Sequence, residues 1–257
     1  MTGSAGTIAQ ETGRAIALAR QVRTGNVRAV SRLLTLLENG HPDGAEGLRL
    51  LSSDARPQIV IGVTGYPGAG KSTLVNELVR AYRRHGKKVA VLAVDVSSAV
   101  TGGALLGDRI RMQEHALDPG VYIRSMATRG LQGGLARTTD AARRVVEAAG
   151  YEVILIETVG VGQNEVDIAT IAPTVIAVVA PGLGDEVQAM KAGLLEVAHI
   201  VVVNKADHAQ SERTLQDLRE WCPTVLATVA TNGAGLPDLL TAINTHQRTH
   251  GLASHMG

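Results

Sequence analysis

Residues Gly65-Tyr66-Pro67-Gly68-Ala69-Gly70-Lys71-Ser72 follow directly on the apolar run Ile59-Val60-Ile61-Gly62-Val63, and no other stretch narrows the choice of fold so far. A glycine-rich turn between a buried strand and a helix has the form of a phosphate loop. Gly65, Gly68 and Gly70, with Pro67 and Ala69 between them, leave the backbone free to turn successive N–H groups inward around an anion. Lys71 stands where it can reach a β- or γ-phosphate, and Ser72 can offer its hydroxyl to Mg²⁺. Thr73 follows in the first helical turn, where the helix dipole favours negative charge. The alternative is a chance glycine turn, and the flanking segments argue against it.

Downstream, Leu74, Leu78 and Tyr82 recur four apart with Val75 and Val79 alongside, which predicts a helix over 72–85 with one apolar stripe. Gly86 supplies a stop signal. Lys88-Val89-Ala90-Val91-Leu92-Ala93-Val94 is apolar after its first residue and does not alternate, as expected of a strand covered on both faces of a parallel sheet. The predicted fold class is therefore α/β: a phosphate-loop nucleotide hydrolase with a mostly parallel central sheet flanked by helices.

A second signal sits where another buried strand, Ile200-Val201-Val202-Val203, runs into Asn204-Lys205-Ala206-Asp207. An aspartate carboxylate here can accept from the guanine N1–H and exocyclic amine, which adenine does not present. Asn204 and the stem of Lys205 are expected to hold the loop and cover the base. Coming after the phosphate loop in this order, the tetrapeptide predicts GTP and GDP as ligands in preference to ATP.

Acids for a Mg²⁺ site lie between these two segments. Asp95 ends the strand at 89–94 and Glu157 ends Val153-Ile154-Leu155-Ile156. Both are expected at the carboxyl edge of the sheet, where ligands of open α/β folds collect. One or two carboxylates plus Ser72 and phosphate oxygens satisfy the hard, water-retaining Mg²⁺ ion. Asp108 is a third candidate, balanced on spacing alone against a solvated loop acid. Glu157-Thr158-Val159-Gly160 has the form of a γ-phosphate sensor, with the Gly160 N–H facing the phosphate. Gln163 can orient an attacking water or merely cap the next helix, and the sequence favours neither.

Together with Asp95-Val96-Ser97-Ser98, Thr101–Asp108, Glu157–Gln163 and Pro181-Gly182-Leu183-Gly184-Asp185-Glu186, these segments resemble the MeaB/ArgK family from about residue 20 to about 245. Members are G-protein chaperones of adenosylcobalamin-dependent acyl-CoA mutases, the human counterpart serving methylmalonyl-CoA mutase. The resemblance implies a SIMIBI-type phosphate-loop GTPase. It places Asp95, Asp108 and Glu157 at the family's magnesium-linked acidic positions, and makes 181–191 a third switch that relays nucleotide state to the mutase. Read without it, 181–191 is an ordinary strand-to-helix turn.

Departures from the family pattern stand beside the likeness. Val96 replaces the usual proline after Asp95, and Ala230 replaces a common serine in the second guanine-contacting loop, Thr228-Val229-Ala230-Thr231. A backbone N–H at Ala230 or Thr231 can still meet the base. Many relatives form homodimers through a C-terminal helical arm. A homodimer is a possible form of this chain as well, although the sequence ends at Gly257, which puts dimerisation by that arm in doubt.

Composition sets outer bounds. A net charge of +1 gives no reason to expect nucleic acid or a membrane surface as partner. The absence of Phe and an aromatic content of 2% argue against a base-stacking platform. One cysteine, Cys222, excludes an intrachain disulfide and suits a reducing compartment, so a cytoplasmic location is expected. Three segments are predicted: a helical extension at 1–57, the GTPase domain at 58–245 and a tail at 246–257. Within the extension, 15–19 and 30–37 have helical spacing, punctuated by Gly25 and by Gly40 to Gly44, and the first ten residues read as unstructured. In the tail, His246, His250 and His255 superficially suggest metal ligands, with a solvated helix end as the favoured reading.

The expected activity is Mg²⁺-dependent hydrolysis of GTP that gates cofactor loading or protection of an acyl-CoA mutase, with Lys71, Glu157 and Gln163 as the catalytic group. Intrinsic turnover is expected to be slow, because none of Arg109, Arg111, Arg124 and Arg129 is singled out as an arginine finger. The alternatives are a protein kinase of the ArgK type, for which no acceptor pocket or base is evident, and a nickel metallochaperone, for which dense His or Cys tracts are missing.

Overall fold

The apolar runs become strands because each side chain finds a hydrophobic layer on one side of the sheet or the other. The computed structural model describes residues 3–51, 59–95, 115, 117–127, 134–158, 164–182 and 193–250, the side chains of 3–12, 95, 127, 134–136 and 164–167 apart. The strands are β1 (Ile59–Thr64), β2 (Val89–Asp95), β3 (Val121–Ala127), β4 (Val153–Thr158), β5 (Thr174–Val179), β6 (Ile200–Val203) and β7 (Val225–Ala227). They form one seven-stranded sheet in the order β3-β2-β4-β1-β5-β6-β7, and every pairing is parallel. Within β4, Val153 and Leu155 join one apolar cluster while Ile154 and Ile156 join the other. Two apolar faces therefore replace the hydrophobic–polar alternation of a half-exposed strand.

The helices are α1 (Gly3–Arg23), α2 (Val27–Glu38), α3 (Pro42–Leu51), α4 (Lys71–Arg84), α5 (Gly134–Ala148), α6 (Asn164–Ile171), α7 (Leu194–Val197), α8 (Ser211–Arg219) and α9 (Leu236–Thr249). On one face of the sheet, α4 contributes Leu74, Val75, Leu78 and Tyr82, and α9 contributes Leu236, Leu239 and Ile243. The other face is covered by Val145 and Val146 of α5, Ile168 of α6 and the leucines of α2. Beyond them, Leu194, Leu215 and Leu218 of α7 and α8 pack on Val179, Val201 and Val203.

From β1 the chain steps outward to β2 and β3, returns to β4 beside β1, then crosses to β5 on β1's opposite flank. The reversal makes the carboxyl end of β1 the crevice where a ligand belongs.

The amino-terminal helices depart from the sequence expectation in two places. The first ten residues were expected to be unstructured, yet α1 begins at Gly3. Elongation adds a hydrogen bond for each residue fixed, so the packed part of α1, anchored by Ala15, Leu18, Ala19 and Val22, extends its own backbone outward. Gly40 to Gly44 was expected to be a break, but only Gly40, at φ 65°, has a backbone that demands glycine. Gly44 lies inside α3, where an added Cβ would come within 2.8 Å of the Leu36 carbonyl carbon. Gly44 thus marks a close crossing of α3 over α2 rather than a turn.

A polar seam fastens this extension to the edge strand β3. Arg124 on β3 pairs with Glu38 at the end of α2 and donates to Thr35 Oγ1 at 3.1 Å. Ser31 and Tyr122 share a hydrogen bond of 3.2 Å one turn away.

Candidate nucleotide site

The loop between β1 and α4 is shaped by positive φ values of 130° at Gly65, 79° at Gly68 and 92° at Gly70. Two of these glycines are also required by space. A Cβ on Gly65 would lie 2.0 Å from the Val178 carbonyl oxygen on β5, and one on Gly70 would lie 2.2 Å from Asn204 Nδ2. Around Gly68 the space is open, so there the backbone angle alone selects glycine. Gly70 is the N-cap of α4 and no side chain caps it. The amino end of α4 therefore offers backbone donors and a positive dipole end at the loop.

Lys71 is buried at 7% exposure and curls back over the loop. Its Nζ donates to Gly65 O at 2.6 Å and to Tyr66 O at 2.9 Å. The ammonium is thereby held beside the cradle. Ser72 Oγ donates to Glu157 Oε1 at 2.6 Å, which brings together hydroxyl and carboxylate from α4 and β4. These are oxygen donors of the kind Mg²⁺ takes, set next to a cradle of the kind that holds phosphate.

Asn204 forms the joint between the two loops. Its Nδ2 donates to Ala69 O at 2.9 Å, while its Oδ1 accepts from Ala230 N at 3.0 Å and Thr228 Oγ1 at 3.2 Å. One buried amide thus ties the phosphate loop, the loop after β6 and the loop after β7 into a single unit. Lys205 adds a bond from its Nζ to Gly68 O at 2.8 Å and adopts φ 57°, a conformation unusual for a residue with a Cβ. Asp207 lies in the exposed turn after β6, and Thr231 is exposed beside buried Ala230.

Pro67, Gly68, Gly70, Lys71, Ser72, Thr73, Ala93, Val94, Glu157, Thr158 and Lys205 surround a cavity of about 360 Å³ at the carboxyl ends of β1, β2 and β4. Strand register explains the convergence, since β4 places Glu157 opposite both Val63 of β1 and Ala93 of β2. Asp95 is the last residue of β2, one position beyond the pair Val94 and Thr158. Asp108, Gly160 and Gln163 lie outside the described residues, as do Arg109, Arg111 and Arg129. The candidate Arg124 sits mid-strand on β3, engaged by Glu38 and Thr35.

Sequence reasoning passed over Thr158 and Thr228. The buried Thr158 hydroxyl has no hydrogen-bond partner among the described residues and lines the cavity. Its position directly after Glu157 was the available signal. Thr228 acts through Asn204, and only tertiary structure reveals that contact.

The all-parallel sheet and the cradle between β1 and α4 define a phosphate-loop nucleotide hydrolase. More narrowly, the chain belongs to the family of methylmalonyl-CoA mutase-associated GTPases known as MeaB, whose model matches residues 30–256. A Pyrococcus abyssi protein provisionally named a GTPase is 48% identical over 243 residues, covering 90% of this chain and 75% of that protein. The GTPase ArgK of Escherichia coli K12 is 37% identical over 242 residues, covering 87% of this chain and 73% of ArgK. A crystal structure of a LAO/AO transport system kinase superposes with a TM-score of 0.71 at 28% identity, covering 93% of this chain and 78% of that one.

Proposed function

We propose that the protein is a Mg²⁺-dependent GTPase that serves as a G-protein chaperone of an adenosylcobalamin-dependent acyl-CoA mutase, gating cofactor loading or protecting the enzyme. The observation that carries the nucleotide half is the Asn204 joint, which sets a base-reading loop at a fixed distance from a phosphate cradle. Family membership supports the mutase half. The runs at 1–57, 58–245 and 246–257 then act as helical extension, GTPase domain and tail, in a cytoplasmic protein that uses neither nucleic acid nor membrane.

In this reading the N–H groups from Gly65 to Thr73 hold the phosphates. Lys71 exchanges its bonds to Gly65 O and Tyr66 O for phosphate oxygens and stabilises the charge that develops on the transferring phosphoryl group. Ser72, Glu157, Asp95 and Asp108 would hold Mg²⁺, with Gly160 and Gln163 on the γ-phosphate side. Bound there, Mg²⁺ would neutralise charge on the β- and γ-phosphate oxygens. Asp207 reads the guanine N1–H and amine, the Lys205 stem covers the base, and the Ala230–Thr231 backbone faces O6. Because Ala230 N–H already donates to Asn204, Thr231 supplies the freer donor.

Kinase activity is the competing reading, favoured by the name of the structural neighbour. The nickel-chaperone reading is the weaker alternative, because the sequence lacks the dense His or Cys tracts of nickel-handling proteins.

The deciding experiment follows GTP turnover with Mg²⁺ for the protein alone and with cobalamin-dependent mutases added one at a time. Slow basal turnover and stimulation by one mutase, with no labelled phosphoprotein, are the expected results. Stable phosphate transfer to a protein would select the kinase instead. With Lys71→Ala, turnover should fall by about 100-fold or more, and normal turnover by that variant would remove Lys71 from the reaction.

A further inference from the structure

At the opposite edge of the sheet, the amino ends of β5 and β6 meet the last turns of α9 in a histidine stack. His199 and His246 rings lie 4.4 Å apart, and His246 and His250 rings 4.5 Å apart. The expectation of a solvated helix end fails for His246. It reaches buried Thr174 on β5, with Oγ1 and Nδ1 3.1 Å apart, and its Nε2 is buried with no partner among the described residues.

The backbone favours the neutral form of His199. Val175 N–H donates to His199 Nδ1 at 3.0 Å, and His199 N–H donates to Val175 O at 2.9 Å. The ring proton therefore sits on Nε2, and a second proton on Nδ1 would expel the Val175 donor. The cavity beside the stack, about 530 Å³, is lined by the histidines together with Thr224, Thr245, Thr249, Ala198, Ile200, Pro223 and Ala242. No carboxylate, lysine or arginine lines it among the described residues. Arg248 of α9, Glu196 of α7 and Glu220 after α8 are the charged residues nearest in sequence, and none belongs to the lining. Among the described residues, His199 and His250 act on His246, and His250 acts on His199.

With no counter-charge lining the cavity, a proton on buried His246 would face its neighbouring rings uncompensated. Burial, and after it the neighbouring rings, push His246 down to about 4 from an ordinary 6.5, and burial lowers His199 as well. The folded protein thus takes up these protons later than the unfolded chain does as pH falls. The stabilisation is full above about 6.5 and is lost progressively as pH approaches 4. Loss of the clamp weakens the hold on the carboxyl half of α9, where Ile243 and Gln247 are also buried. The other half is continuous with the guanine-facing loop, since Leu236 and Leu239 share an apolar cluster with Ala230.

We propose that His246, stacked between His199 and His250, is a proton-operated latch that holds α9 against the sheet while neutral and, when protonated, loosens α9 and weakens the loop at 228–235. The coupling to that loop rests on the proposed guanine site, whereas the latch itself does not. The test is thermal melting of the nucleotide-free full chain at pH 7.5 and 5.0, for wild type, His246→Gln and His250→Gln. The wild-type fall in melting temperature should exceed that of His246→Gln by roughly 3 °C, with His250→Gln in between. Equal falls in all three would overturn the latch. His250 is exposed, so its variant remains informative if His246→Gln does not fold. In the second arm, the wild-type ratio of GDP dissociation constants at pH 5.5 and 7.5 should exceed that of His246→Gln. A ratio unchanged by the substitution, or no GDP binding at either pH, overturns the coupling and leaves the latch to be judged on melting alone.

Discussion

Asn204 shows how much one side chain can organise. It is 3% exposed and makes three hydrogen bonds to two separate segments, the phosphate loop and the loop after β7. Asn204→Ala leaves the Ala69 carbonyl and the Ala230 N–H without their partner in a dry site, at a cost of about 1–3 kcal/mol for each unsatisfied group. The expected outcome is a fold that survives with a lower melting temperature and GDP affinity reduced about tenfold or more, measured by calorimetric titration. Unchanged affinity would mean that the two loops are positioned independently. The residue types at this site were legible in the sequence, because phosphate loops and base-reading loops impose narrow demands on local chemistry. The joint was not, because Asn204 and its acceptor Ala69 lie 135 residues apart and the bond ends on a backbone carbonyl that any residue carries.

Helices and strands were legible to different degrees for a physical reason. Runs such as Val153–Ile156 advertise burial on both faces, and the strand simply extends to Thr158. α3 was not recognised, because glycine reads as a break unless the neighbouring helix is known. Gly44 and Gly47 are buried in α3, and a Cβ on Gly47 would sit 2.8 Å from Leu33 Cδ1. Gly44→Ala should therefore push α3 off α2 against backbone that has no rotamer to yield. The expected cost is about 1–3 kcal/mol, read as earlier proteolysis of the extension with GDP affinity little changed. The polar seam makes a related prediction. Arg124→Ala leaves Glu38, at 15% side-chain exposure, without its partner and should lower the melting temperature while GTP turnover persists. Lost turnover at unchanged stability would return Arg124 to the catalytic candidates.

Over the whole molecule, the sheet separates chemistry from support. Its carboxyl edge carries the cradle, the Ser72–Glu157 pair and the turn proposed to read the base. Its amino edge carries the histidine stack, and one face bears the three-helix extension on an apolar core shared with the sheet. No described helix is long and apolar enough to cross a membrane. The family match covers most of this arrangement, from the first turn of α2 to beyond α9. The partner of the proposed chaperone was not legible in the sequence, since partner choice depends on surface shape and not on a local motif.

The account stands most directly on the claim that a guanine-reading turn is bolted to a phosphate cradle. Competitive titration of GDP and ADP against wild type and Asp207→Ala measures that claim. Wild type should prefer GDP by about 100-fold or more, and Asp207→Ala should lose most of that preference, as expected when paired hydrogen bonds to a charged acceptor are removed. Equal binding of GDP and ADP by wild type, or a preference untouched in Asp207→Ala, would contradict it.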